Sequence, residues 1–479
     1  MVTQKSQSTI SSMNAEFLHI AMFPWLAFGH LLPFFELAKS LAEKGNRISF
    51  ISTPRNIKRL PKLPPELSHL LTFVEFSLPQ IQNLPNDAEA TSDLPLDKVP
   101  YLKKALDGLE SSLSSFLKTT CPDWLISDFA SHWLPPIAAK LNVPCVFFSI
   151  FNAANLCFFG PPSALCGVGD DVRKNPQDFT VPPKWIPFEN NLAFRKCEIS
   201  RWFNDAVVEN ESGIGDAVRF GLVVQECDIV VVRSSTEFEP EWLKLLQEVY
   251  KKPVLPIGLL PPQLHIVEDK NDENWLTIKR WLDKQEHGSV VYVALGSEAT
   301  LNEQETVELA LGLELSQLPF FWVLRKPAGS TEFVLPTGFE DRVKGRGIIW
   351  RTWVPQLRIL SHPSIGGSLM HSGYSSVIET LGFGHPLVLL PMVNDQAILA
   401  RLLEWKKIGV EIPRNDEDGS FMKESVAGLL RKVMVDEEGE HYRAIAKDLQ
   451  KVFGNKILND TYIDNFECYL KNNRRGKSS

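Results

Sequence analysis

The chain has 479 residues, of which 44% are hydrophobic and 23% charged; this is the composition of a folded globular protein of about two to four domains, and it excludes a disordered chain, a collagen-like fibre and a small disulfide scaffold. The formal net charge is -8, from 50 Lys and Arg against 58 Asp and Glu, which leaves no basic footprint for nucleic acid. No apolar run approaches the ~18 residues of a membrane span, residues 1–16 lack the apolar stretch of a secretory signal, and the seven cysteines are widely spaced without a Cys-x-x-Cys pair, so a cytoplasmic protein with reduced thiols is expected.

Leu18–Phe23 reads as a strand, Leu31–Ala42 as a helix ended by Gly45, and Arg47–Ser52 as a second strand. Strand, helix and strand within ~35 residues make a βαβ unit and imply a parallel sheet. Further strands are predicted at Leu71–Phe76, Trp124–Ser127, Cys145–Phe148 and Asp228–Val232. Residues 160–200, rich in Pro, Gly and Phe, read as a long loop region of the kind that shapes a ligand pocket. Pro253, Pro256, Pro261 and Pro262, followed by the charged run Glu268–Asn274, mark a composition break and the expected linker, 253–274. The pattern then restarts, with strands predicted at Val290–Leu295, Phe320–Leu324, Gly347–Trp350, Gly367–Met370 and Leu387–Leu390. The expectation is an α/β protein with two doubly wound, Rossmann-like domains facing across a cleft, 1–252 and 275–455. A final helix and tail, 456–479, is expected to pack back on the first domain. In each, ligands belong at the carboxyl ends of the strands.

The informative stretch runs from Trp353 to Gln396. The strand ending near Met370 leads into His371-Ser372-Gly373, and a helix opens at about Ser375. Gly373 permits a tight turn. Ser375 and Ser376 put hydroxyls and open N–H groups at the positive end of that helix, which suits a pyrophosphate. His371 stands where it can donate a further hydrogen bond. Glu379, one turn deeper on the Ser376 face, offers a carboxylate to two ribose hydroxyls, and Trp353 offers a flat face to a base. Asp395-Gln396 pairs a carboxylate with an amide, which suits adjacent sugar hydroxyls. Taken singly, the two serines are also an ordinary helix cap, Glu379 a surface acid and Trp353 a core residue. Their combination at this spacing points to a nucleotide-diphosphate sugar.

With Trp353-Val354-Pro355-Gln356, His362-Pro363, Gly366-Gly367, His371 to Ser376, Glu379, Gly384-His385-Pro386, Pro391 and Asp395-Gln396 in order, the stretch resembles the signature box of the plant secondary-product UDP-dependent glycosyltransferases, the inverting family 1. The N-terminal and central segments fit the same family, so the resemblance covers nearly the whole chain. Phe23–Pro33 and Ser52–Asn56 are most similar to the subgroup that extends a sugar already carried by a small-molecule glycoside. The resemblance implies the two-lobed GT-B arrangement. It implies that Trp353 stacks on uracil, that Val354 and Gln356 border base and ribose, and that Glu379 binds the ribose hydroxyls. His371, Ser376 and Ser297 are implied phosphate contacts, and Asp395 and Gln396 the grip on the donor sugar. Two positions depart: the family has Trp where Tyr374 stands and Asn where Ser375 stands. Gln396 favours glucose as the donor sugar, with UDP-rhamnose and other UDP-sugars left open. No metal or other cofactor is implied, since there is no Asp-x-Asp in a suitable loop and no His/Cys ligand cluster.

In the first half His30 lies just past the first strand and Asp128 ends a later one. Carboxyl ends of parallel strands gather at one edge, so the two can meet. An Asp bonded to one imidazole nitrogen fixes the tautomer and supports the cation formed when the other takes a proton. Each residue alone also reads as structural; both coincide with the family's base and its orienting acid. The implied reaction is a single displacement in which His30 deprotonates an acceptor hydroxyl, which attacks the anomeric carbon. UDP leaves from the opposite face, stabilised by the helix N-terminus and His371. Trp25, Phe28, His132, Trp133, Phe151 and Phe158 are candidate walls of the acceptor site, with ordinary core packing as the alternative for each. The partners expected are a UDP-sugar and a small-molecule glycoside such as a flavonoid or terpenoid glycoside, acting on a monomer without nucleic acid or an integral membrane segment. A UDP-sugar epimerase and a non-catalytic UDP-sugar-binding protein are the rival readings.

Overall fold

Short, nearly continuous apolar runs are what strands covered on both faces require, and the chain folds them into two all-parallel sheets. The structure, a computed structural model, describes residues 17–263, 272–296, 301–324 and 335–475. The first sheet holds β1 (His19–Phe23), β2 (Arg47–Ser52), β3 (Leu71–Glu75), β4 (Trp124–Ser127), β5 (Cys145–Ser149), β6 (Ile229–Val232) and β7 (Val254–Pro256), in the order β3-β2-β1-β4-β5-β6-β7. The second holds β8 (Val290–Ala294), β9 (Phe320–Val323), β10 (Gly347–Trp350), β11 (Ile365–Met370), β12 (Leu387–Leu389) and β13 (Gly409–Glu411), in the order β10-β9-β8-β11-β12-β13. Helices on both faces complete two Rossmann-like domains. In each sheet the strand order reverses once, between β1 and β4 and between β8 and β11. Crevices at such reversals are where doubly wound sheets bind ligands.

Three differences from the sequence reading bear on the site. The proline-rich start of the expected linker is strand β7, paired with β6; Pro256 is tolerated at this edge because an edge strand has one unpaired side. The helix expected from Leu31 starts at Phe28, so His30 sits in its first turn rather than ahead of it. The 160–200 segment is not only loop: Pro162–Leu165 and Pro176–Phe179 are short helices, and a longer one runs from Lys196 to Ala206.

Ionic contacts tie the halves together. Arg401 pairs with Glu198 at 2.8 Å and with Glu411 of β13, which also receives Arg195. Lys406 pairs with Glu241 at 2.9 Å. The Lys456–Asn472 helix, last in the chain, lies against the first sheet. Ile463, Phe466 and Leu470 join Ile20 and Phe148 in one core. Asn459 Oδ1 accepts the Leu259 and Leu260 N–H groups at 2.6 and 3.2 Å, and the Trp124 indole donates to the Leu470 carbonyl at 3.0 Å. Among the described residues no helix is long and apolar enough to cross a membrane, and all seven cysteines are free.

Candidate active site

Phe23 pairs with Ser127, so β1 and β4 end side by side and release His30 and Asp128 at the same edge. His30 Nδ1 and Asp128 Oδ2 are 2.7 Å apart. Asp128 Oδ2 also accepts the Trp25 N–H at 3.0 Å, and Oδ1 accepts the Phe129 N–H at 2.7 Å. With 2% of its surface exposed and three donors aimed at it, the carboxyl group is fixed as an acceptor. The network therefore assigns the proton to Nδ1 and leaves Nε2 with an open lone pair. The Phe129 and Phe151 rings flank the imidazole with centroids 5.5 and 5.9 Å away.

The second domain repeats the arrangement. Met370 pairs with Ala294, so β11 delivers His371 beside the end of β8, where Gly296 turns the chain at φ +79. Ser297, a further implied phosphate contact, lies outside the described residues. A Cβ on Gly296 would stand 2.7 Å from His371 Nε2, and one on Gly373 would stand closer still. The two glycines thus form a slot that only hydrogen atoms leave wide enough for the ring. His371 keeps a partly open face, but the packing around it disfavours the cation and pushes it down to about 4. At neutral pH it is a hydrogen-bond donor, not a charge.

The following helix opens at Tyr374 with Gly373 as its N-cap, one residue earlier than expected. Gln356 Nε2 donates to Glu379 Oε2 at 2.6 Å and lies 3.5 Å from Ser376 Oγ, while Tyr292 O–H donates to Gln356 Oε1 at 3.0 Å. Burial pushes Glu379 up to about 7, against the opposing pull of the Gln356 hydrogen bond and the Arg233 charge. Trp353 is 68% exposed, an open indole face beside these groups in sequence. The Val354 side chain is packed in the core, so only its backbone is free for a base. Tyr374 is buried and Ser375 Oγ accepts a hydrogen bond from Arg233 Nη1 at 2.7 Å.

At the Asp395-Gln396 pair, Gln396 Oε1 accepts the Met392 and Val393 N–H groups, both at 3.0 Å. Its amide N–H₂ is what remains for a ligand, so the pair with Asp395 offers fewer acceptors than the sequence suggests. Asn155 of the first half donates to Asp395 Oδ2 at 3.0 Å. Sequence reasoning missed both Asn155 and Arg233. Arg233 did carry a signal: it ends the apolar run Ile229–Val232, at the edge where doubly wound sheets place their functional groups.

The candidate acceptor walls separate into two groups. Phe151 borders the His30 ring, and Phe28 opens the same helix as His30, with the Arg59 guanidinium 5.8 Å from its ring centroid. His132 is half-buried, with Nδ1 3.2 Å from Arg219 Nη1; burial and that guanidinium push its pKa down. Trp25, Trp133 and Phe158, by contrast, are core residues. Trp25 packs edge-on to Phe129, the Trp133 indole donates to Asp107 at 2.9 Å, and Phe158 is enclosed by Phe179 and Phe194. The first domain is rich in aromatics because its core uses them.

The family profile described as UDP-glucoronosyl and UDP-glucosyl transferase matches residues 250–449. UDP-glycosyltransferase 91C1 of Arabidopsis thaliana is 51% identical over 466 residues, which are 97% of this chain and 99% of that protein. Soyasaponin III rhamnosyltransferase of Glycine max is 44% identical over 95% of each chain. The fold is shared with Medicago truncatula UGT71G1 solved with UDP-glucose, at a TM-score of 0.75 and 21% identity, over 96% of this chain and all of that one. Two Rossmann-like domains, each with its polar residues gathered where the strand order reverses, and end-to-end identity of about half with a plant relative together establish that the chain belongs to the plant UDP-glycosyltransferase family and is a UDP-glycosyltransferase.

Proposed function

We propose that the protein transfers glucose from UDP-glucose, with inversion, to a hydroxyl of a small-molecule glycoside such as a flavonoid or terpenoid glycoside. The observation that carries this reading is the His30–Asp128 pair at 2.7 Å, set where the strand order of the first sheet reverses. Glu36, on the His30 helix, bears electrostatically on both Arg233 and Glu379, which supports a base facing the donor half. An alcohol has a pKa far above 7, so a positioned base contributes roughly 10²–10⁴-fold. His30 Nε2 takes the acceptor proton as the acceptor oxygen attacks the anomeric carbon. Asp128 stabilises the imidazolium. UDP departs from the opposite face of the sugar, and its new charge meets the open N–H groups of the Tyr374–Gly382 helix and the neutral His371 donor. Trp353 stacks the base, Glu379 and Gln356 hold the ribose, and Asp395 and Gln396 hold the sugar. The reaction uses no metal, and a chelator is expected to leave the rate unchanged.

A second donor, UDP-rhamnose, is favoured by one finding, the 44% identity with a protein named for rhamnosyl transfer to a saponin. The deciding experiment crosses UDP-glucose, UDP-rhamnose, UDP-xylose and UDP-galactose with flavonoid and terpenoid glycosides and reads products by mass. UDP release that depends on the added acceptor separates transfer from epimerisation. His30→Ala is expected to bind UDP normally and to lose turnover; a variant that retains most activity overturns the base assignment.

A further inference from the structure

Arg233 directly follows β6 and is 2% exposed. Its Nε donates to the Leu259 carbonyl at 2.7 Å and Nη2 to the Leu260 carbonyl at 3.2 Å. Nη1 crosses to the second half and donates to Ser375 Oγ at 2.7 Å. The other two buried arginines among the described residues, Arg219 and Arg401, each meet a carboxylate. Among the described residues Arg233 meets none at ion-pair distance: its three hydrogen bonds all go to neutral oxygens. Glu379 and Glu36 act on it only from farther away.

Burying a cation without a paired anion is costly. This one lies against the first turn of the Tyr374–Gly382 helix, whose backbone dipole is positive at the same end. Like charge has been gathered where an anion would relieve it. A polar atom at the same turn also waits for a partner: Ser372 Oγ, fully buried, has no hydrogen bond among the described residues.

We propose that Arg233 is a positioning residue for the donor diphosphate. Its guanidinium occupies an Oγ lone pair of Ser375, which leaves the hydroxyl proton free to donate to a diphosphate oxygen. The nearby cation strengthens that bond as the leaving group gains charge. Arg233 belongs to the first half and Ser375 to the second, so the phosphate end of the donor site is complete only when the halves are together. The inference rests on the diphosphate reading of the proposed function.

The test is titration calorimetry of the full-length wild type, Arg233→Gln, Arg233→Lys and Ser375→Ala with UDP and, separately, with uridine, which lacks the diphosphate. Arg233→Gln is expected to weaken UDP by ~10–100-fold and uridine by less than about 2-fold, the range for a lost charge-assisted hydrogen bond. Arg233→Lys, which keeps the charge, is expected to recover part of the loss. Adding Ser375→Ala to Arg233→Gln is expected to cost little more, as for two groups acting as one. Unchanged UDP affinity in Arg233→Gln overturns the inference. Equal losses for UDP and uridine, including loss of both through misfolding, also overturn it, because they mark a purely structural arginine. A wild type that binds uridine but gains nothing from the diphosphate overturns the site reading itself, and the inference with it.

Discussion

Replacing Asp128 by Asn changes almost no volume and should still cost most of the activity. Three donors converge on the carboxylate: His30 Nδ1 at 2.7 Å and Trp25 N–H at 3.0 Å on Oδ2, and Phe129 N–H at 2.7 Å on Oδ1. An amide has one acceptor oxygen and one donor nitrogen. If its nitrogen takes the Oδ1 place, it faces the Phe129 N–H and leaves a buried donor unpaired, at about 1–3 kcal/mol. The imidazolium then also lacks its counter-charge. If the nitrogen takes the Oδ2 place, it opposes the Trp25 N–H and requires a bare Nδ1, so the His30 proton moves to Nε2 and the base is gone. The first orientation strips the imidazolium of its counter-charge and the second strips Nε2 of its lone pair, so kcat for Asp128→Asn is expected to fall by roughly 10²–10⁴-fold. The KM for the UDP-sugar should stay within about 3-fold, because Asp128 stands in the other half and binding there is a separate interaction. UDP release measured at saturating acceptor over a range of pH reads both constants. A variant that keeps more than about one-tenth of the wild-type kcat refutes the argument, since neither arrangement keeps both the Nδ1 proton and the carboxylate charge that supports the imidazolium.

Gly373→Ala leaves an ordinary backbone, at φ -67, but drives a methyl group into the His371 ring. UDP affinity should fall by ~10–100-fold while uridine affinity holds, as for one lost hydrogen bond to a charged group; equal affinities for UDP in variant and wild type would show that the ring makes no phosphate contact. Glu379, raised to about 7, accepts two ribose hydroxyls best when ionised, since the protonated group spends one oxygen as a donor. Uridine affinity should therefore rise as pH is raised through about 7, with a proton released on binding below it, and this dependence should vanish in Glu379→Gln. A flat profile in the wild type would count against the ribose role. Asn155→Ala removes one donor, at 3.0 Å, from the Asp395 carboxylate. The expected loss in kcat/KM for the UDP-sugar is ~5–30-fold with UDP affinity unchanged, the scale of one buried hydrogen bond; kinetics beside UDP titration would detect the opposite pattern.

Much of the fold could be read before the structure because buried parallel strands are written as uninterrupted apolar runs; β4 and β10 fall where the sequence puts them. Strand β7 escaped because three residues with a terminal proline look like linker, and β13 because Gly409–Glu411 is too short for any period. The helix start at Phe28 carried no side-chain cap to announce it. In the site, most of the proposed donor-side residues share one short stretch of sequence, so their spacing and the family resemblance it carries made them candidates. Arg233 and Asn155 each act across the gap between halves, and such pairings have no local pattern. Trp25, Trp133 and Phe158 were ambiguous for another reason: an aromatic that fills a core and one that lines a cleft have the same composition around them.

The closing Lys456–Asn472 helix gives the molecule an unexpected seam. Its Asn459 amide oxygen caps the chain at Leu259 and Leu260, and its far end is held by Trp124 and by Arg474 on Asp123. The lobe that bears His30 is therefore assembled from segments on either side of the nucleotide-side lobe, which is inserted between them like a guest. Anyone exchanging lobes among relatives to mix donor and acceptor preferences should cut twice, and carry the last helix along with the front of the chain.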